Sequence, residues 1–129
     1  MLTLIKILKV RRYGKTLAMT VPSDVVKKFG LRKGSKVFLR LKEESAELII
    51  DFPKSFLKKP IGASDKNYIN FGEVVLRRYG TSLATPLPSK VIQKLALKKD
   101  MKVEIYYDDE FERLIIKPFK QLNFSTTKK

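Results

Sequence analysis

Two stretches of the chain carry the side chains best suited to chemistry. Arg11-Arg12-Tyr13-Gly14-Lys15 and Arg77-Arg78-Tyr79-Gly80 each set a pair of guanidinium groups beside a tyrosine and a turn glycine. A guanidinium offers planar, bidentate contact to a phosphate or to the O6/N7 edge of guanine. The chemistry on offer is therefore recognition rather than bond-making. Lys15, Lys27, Lys28, Arg32 and Lys33 add charge after the first pair; Lys90, Lys94, Lys98 and Lys99 follow the second. Thr81 and Gln93 stand where the first stretch has Lys15 and Lys27. The residues expected to touch a polyanion are Arg11, Arg12, Lys15, Lys27, Lys28, Arg32, Arg77, Arg78 and Lys94. Each Arg pair ends a strand-like run, where neighbouring side chains face opposite ways, so at most one of each pair is expected to face a flat ligand unless the strand twists or bulges there. The other use of such pairs is to bridge acids elsewhere in the chain. Tyr13 and Tyr79 could stack on bases or wedge the turn against the core.

Nothing in the chain supports an enzyme. It has no His and no Cys, the most versatile general base and nucleophile. Ser55-Phe56-Leu57-Lys58 has the Ser-x-x-Lys spacing of some acyltransferases but lacks the companion motifs. Asp108-Asp109-Glu110 reads as an acidic turn rather than a cation site, because consecutive residues on a hairpin point different ways. No glycine-rich phosphate loop is present. The expectation is a binding protein with no cofactor and no metal.

The formal net charge of +15, from 28 basic and 13 acidic residues, points to a polyanionic partner, nucleic acid or an anionic membrane surface. Its distribution says more. From Lys6 to Lys42 there are twelve basic residues and one acid, Asp24; from Arg77 to Lys102 there are seven and one, Asp100. The acids gather at Glu43, Glu44, Glu47 and Asp51, and again at Glu104, Asp108, Asp109, Glu110 and Glu112. A surface charged only for solubility has no need of that segregation. The apolar N-terminal run is broken by Lys6 and Lys9, which argues against a signal peptide, and no run approaches the roughly 18 apolar residues of a membrane span. A soluble protein of the cytoplasm is expected, on the nucleoid if the polyanion is DNA.

The elements that must position these residues occur twice. The segment from Arg11 to about Phe52 returns 66 positions later without a gap, with roughly 18 of about 43 aligned positions identical. The expected organisation is repeat 1 over 1–53, a linker over 54–70, repeat 2 over 71–120, and a basic, disordered tail over 121–129. Within a repeat, Leu4 to Arg12 reads as a strand, Tyr13 to Thr16 as a turn, and Leu17 to Val21 as a second strand. Pro22 suits the first turn of a short helix, with Ser23 and Asp24 placed to accept its free N–H groups, and Gly30 stops it. Lys36 to Leu41 and Glu47 to Phe52 form a hairpin around Glu43 to Ala46. In the strand before that turn, Val37, Leu39 and Leu41 alternate with Lys36, Phe38, Arg40 and Lys42. Phe56 and Leu57 offer a short apolar tether in the linker. A repeat of this size, with neither disulfide nor zinc, buries too little surface alone, so each must pack on the other or on a second chain.

Val10-Arg11-Arg12, Gly14-Lys15 and the run Val21-Pro22-Ser23-Asp24 through Gly34-Ser35-Lys36-Val37 resemble the SpoVT/AbrB swapped-hairpin family. The second repeat matches less well, with Ala96 for the post-helix glycine, Pro86 added before the helix and Gln93 for a basic position. The resemblance implies an α+β, mostly β fold: two β-β-α-β-β units intertwined in a swapped-hairpin barrel. It implies a DNA-binding transcription regulator whose first strand, glycine turn and short helix face duplex DNA. On this chain those are Arg11, Arg12, Lys15 and Lys27, with Arg77 and Arg78 as second-repeat equivalents. The exchange could occur within one chain, giving a pseudo-dimer, or between two chains in a homodimer. Rival readings are an antitoxin bound to a toxin, a nucleoid-coating or RNA-binding architectural protein, and a self-assembling scaffold.

Overall fold

Short β-branched and leucine-rich runs, interrupted by Pro and Gly at fixed places, divide the described residues into many short strands and two short α-helices. The structure is a computed structural model and describes residues 2–52 and 68–119. The first segment holds β1 (Leu2–Lys9), β2 (Arg11–Tyr13), β3 (Thr16–Thr20), α1 (Ser23–Phe29), β4 (Lys36–Lys42) and β5 (Glu47–Asp51). The second holds β6 (Tyr68–Val75), β7 (Arg77–Tyr79), β8 (Ser82–Pro86), α2 (Ser89–Leu95), β9 (Lys102–Asp108) and β10 (Arg113–Pro118). The fold is mostly β. Each element of the second segment begins 66 residues after its counterpart in the first. Most of the expected linker, with Ser55, Lys58 and the Phe56-Leu57 tether, lies outside the described residues, as does the 121–129 tail.

Neither half keeps its strands to itself. A six-stranded sheet runs β1-β9-β10-β5-β4-β6, and a four-stranded sheet runs β2-β3-β8-β7. The β4–β5 hairpin of the first half pairs with β6 of the second, and the β9–β10 hairpin pairs with β1 of the first. Two ladders join the halves at the centre, Ile49 opposite Ile115 in the large sheet and Met19 opposite Thr85 in the small one. Both pairs are 66 apart, so a pseudo-two-fold passes through them. The core lies between the sheets and under the helices: Leu39, Leu41, Leu48, Ile50, Val103, Ile105, Leu114 and Ile116 from the large sheet meet Val25, Val91, Val10 and Leu76. Burying one such side chain is worth about 1.5–3 kcal/mol. Packing therefore holds α1 and α2, seven residues each, which are too short to persist alone.

Several boundaries differ from the sequence expectation, each for a tertiary reason. The run read as one strand from Leu4 to Arg12 starts at Leu2 and breaks at Val10. There the chain leaves the large sheet for the small one. Val10 is fully buried; its N–H donates to the Met101 carbonyl (2.8 Å) and its carbonyl accepts from the Asp100 N–H (2.7 Å). Leu76 makes the matching exchange with Ser35 and Gly34. β6 begins at Tyr68, inside the expected 54–70 linker, because Tyr68 to Asn70 already pair with Lys42 to Arg40 of the other half. Pro22 precedes α1 rather than opening its first turn, and no side chain caps the helix; Val25 and Val26 N–H groups donate to the Pro22 carbonyl. Gly30 does end α1, in the left-handed conformation at φ 61°, with Leu31 N–H reaching back to the Val26 carbonyl. Ala96 adopts the same conformation after α2, at φ 52°.

Arg40 also departs from its period-two expectation. It is only 2% exposed, held against Asp51 by Nε and Nη2 at 3.0 and 2.9 Å, with its guanidinium 4.8 Å from the Tyr68 ring centre. A cation on the outward face of a strand is thus withdrawn from solvent. No helix among the described residues is long and apolar enough to cross a membrane.

Candidate nucleic-acid interface

The small sheet carries cations without acids. Its strands and turns, 11–20 and 77–86, contain five basic residues and no acid. β2 and β7 are its edges, three residues each, so both members of each Arg pair stand exposed rather than one in and one out. The turn after β2 is made at Gly14, whose φ of 66° is a conformation that glycine adopts without strain. Gly80 makes the same turn after β7, at φ 65°.

The fold brings the two turns together. The rings of Tyr13 and Tyr79 stack with centroids 3.7 Å apart and planes 7° from parallel. The tyrosines therefore pack on each other across the pseudo-two-fold, which fixes the spacing of the Arg pairs that precede them. Arg12 is further oriented by its own turn, with Nε donating to the Gly14 carbonyl at 3.1 Å. Among the described residues no ion pair uses Arg11, Arg12, Arg77 or Arg78. The alternative use of these pairs, bridging acids of the other half, is not what the fold does with them.

The remaining expected residues divide. Lys15 is exposed on the first turn. Lys27, Lys28 and Arg32 are exposed along and after α1, with Lys28 Nζ 5.9 Å from the Tyr107 ring centre. Lys94 is diverted: its Nζ sits 2.8 Å from Glu43 of the other half, on a half-exposed surface.

The structure also adds residues that the sequence did not single out. Lys6 of β1 shares a cleft of about 340 Å³ with Arg78, Thr81 and Ser82 of the second half and Thr20 and Ser23 of the first. A neighbouring cleft of about 490 Å³ joins Lys33 to Arg77, Arg78 and Tyr79. Both clefts combine residues from the two halves, so only a repeat-to-repeat contact could have revealed them. The counterpart of Lys6 is Gly72, and the counterpart of Gly34 in the second cleft is Asp100. The first Arg pair thus has an acid at its base, bonded through its backbone to Val10, and the second pair has none.

Such a surface can hold phosphates by charge-assisted hydrogen bonds. Among the described residues no group of three or more acids is placed to hold a metal ion. The titrations that shift belong to the large sheet. Tyr106 donates to Glu104 at 2.9 Å, and that bond, with desolvation and the Glu104 charge, raises its pKa. Tyr107 is raised by desolvation, with Glu112, Asp109 and Asp108 contributing.

Comparison with known proteins adds one finding. Residues 10–60 match the family model described as antidote-toxin recognition MazE, bacterial antitoxin. That span begins at the sheet-crossing residue Val10 and takes in the first Arg pair, α1 and the β4–β5 hairpin; the second half lies outside it. No curated protein and no solved structure matches the chain.

Proposed function

We propose that this chain is a duplex-DNA-binding transcription regulator, a binding protein and not an enzyme, whose two halves exchange hairpins to form an intramolecular AbrB-like barrel. One observation carries the reading: four exposed arginines, in no ion pair among the described residues, precede the stacked Tyr13 and Tyr79 on a sheet whose strands and turns hold no acid. Phosphate contacts supply affinity and make it salt-dependent; one or two arginines per half, together with DNA shape, supply any preference. The residue 10–60 match supports this reading in kind, since AbrB- and MazE-like proteins include DNA-binding regulators as well as antitoxins. The test is binding to a pool of genomic fragments, random duplex and single-stranded RNA across a salt series. Fragments retained at salt that releases random duplex support a regulator and identify its targets. Release of all duplexes along one steep slope would make the protein an architectural coat, and binding to RNA alone would overturn the duplex reading.

The family description favours a second reading, an antitoxin that also holds DNA. It requires a protein partner. A small toxin that co-purifies in fixed stoichiometry and is silenced by this chain would establish it; a chain that purifies alone and rescues no such toxin would remove it.

A further inference from the structure

An open-sided cavity of about 510 Å³ lies against the C-terminal end of α1, apart from the Arg pairs. Phe29, Leu31 and Phe52 give it an apolar lining, with the Phe29 and Phe52 rings stacked 4.5 Å apart. Ser35 sits at its side, its Oγ accepting the Arg32 N–H at 2.9 Å, and Lys28 and Lys36 bring cations. Lys36 is engaged with Glu73 at 3.6 Å, whereas Lys28, its Nζ 5.9 Å from the Tyr107 ring centre, is the lining cation with no acid partner among the described residues. No acid is among the described residues lining the cavity. The volume falls in the range of small-ligand pockets, roughly 300–1,000 Å³.

The fold does not require this opening. In the second half, Leu95, Leu97 and Met101 occupy the places of Phe29, Leu31 and Ser35. Leu95 and Leu97 are buried there, and Met101 packs against the core. The first half has larger rings at the floor and a small hydroxyl where the second has a thioether chain. Two copies of one scaffold thus differ at the positions that open or close a cavity.

We infer that this cavity is a binding site for a small amphipathic anion, with an aromatic or branched apolar body seated against Phe29 and Phe52 and a carboxylate or sulfonate directed at Lys28. The apolar lining supplies affinity through excluded water and the ammonium supplies the preference for an acid. The inference stands on the cavity and does not rest on DNA binding, although Lys28 is also among the residues expected to touch a polyanion.

The test uses the full chain and two fluorescent probes of similar shape, anionic 1-anilinonaphthalene-8-sulfonate and neutral N-phenyl-1-naphthylamine. The expected result is saturable binding of the anion at one site per chain, tighter than the neutral probe by about fivefold, the worth of one exposed charge contact. Ser35→Met, which copies Met101, should reduce binding of both probes at least tenfold while circular dichroism and the melting temperature show a folded chain. Lys28→Gln needs no repacking; it should cost the anion about fivefold and leave the neutral probe unchanged. Absence of saturable binding overturns the proposal. So does wild-type affinity in Lys28→Gln, or in a folded Ser35→Met.

Discussion

The two halves of this chain share an element order but not a set of duties. Where they agree, the shared residues serve the fold or the common face: the Arg pairs, the Tyr-Gly turns, Pro22 and Pro88, Val25 and Val91, and Leu48-Ile49-Ile50 with Leu114-Ile115-Ile116. Where they differ, each half keeps a feature the other has lost. The first has Lys6, Lys15 and Lys27, a glycine stop after its helix and a cavity lined by Phe29 and Leu31; the second has Gly72, Thr81, Gln93, an alanine stop and buried Leu95 and Leu97 at those lining positions. Across the pseudo-two-fold Ile49 meets its own kind in Ile115, while Met19 meets Thr85. The core keeps Val25/Val91 and Leu48-Ile49-Ile50/Leu114-Ile115-Ile116 alike, and charge and cavity lining have diverged further.

The largest expected effect tests what the halves share. Replacing Arg11, Arg12, Arg77 and Arg78 together by Ala should weaken duplex binding on the order of 10³-fold and flatten the salt dependence by about 3–4 in log–log slope. An unchanged slope would mean that the Arg pairs do not touch phosphate. Splitting the set sharpens the comparison. Arg77→Ala/Arg78→Ala should cost more than Arg11→Ala/Arg12→Ala, because Asp100 already offsets part of the field at the first pair. Equal losses on every probe would count against unequal halves.

The next effect concerns stability. The Arg40–Asp51 pair belongs to the first half only; Tyr106 and Lys117 stand in those places in the second. Asp51→Ala leaves a guanidinium buried beside a missing carboxylate and should lower the unfolding free energy by about 3–5 kcal/mol in urea titration. Lys117→Ala breaks a partly exposed contact with Glu47, at 3.4 Å, and a cation–π approach to Tyr106, at 5.0 Å, and should cost about 1 kcal/mol. Similar losses for the two would mean that the burial of Arg40 does not set the difference.

Smaller effects come from moving features between halves. Thr81→Lys gives the second turn the cation that Lys15 gives the first, and should steepen the salt slope by about 0.9, one phosphate's worth. Ala96→Gly removes a side chain from a left-handed position and should raise stability by about 1 kcal/mol, read as a rise in melting temperature. Gly30→Ala should lower stability by a similar amount. A loss on Ala96→Gly would show that the methyl group earns its place by packing.

Much of the local structure was legible because it depends on single residues and their neighbours. Glycine at φ above zero, proline ahead of a helix and a leucine closing the turn after it act within four or five positions. The turns, α1 and the β4–β5 hairpin could therefore be placed from spacing. The 66-residue offset likewise needs only comparison of the chain with itself. Less legible were features that need a partner from the other half. Val10 reads as one more strand residue until Met101 and Asp100 bond to it and turn the chain into the second sheet. Arg40 reads as a surface cation until Asp51 and Tyr68 enclose it. Lys94 reads as a ligand contact until Glu43 pairs with it.

The sequence by itself determined the basic face's ingredients, the acid-poor stretches that hold them, and the short helix framed by proline and glycine. These are local matters of charge, backbone freedom and side-chain size. Only the tertiary structure decided that Tyr13 and Tyr79 stack between the turns that follow the two Arg pairs, that Lys6 joins Arg78 in one cleft, and that Phe29 and Phe52 line a cavity while Leu95 is buried. Those outcomes turn on which strands pair across 66 residues of separation, and a period-two pattern specifies which face a strand buries without naming the strand it buries it against.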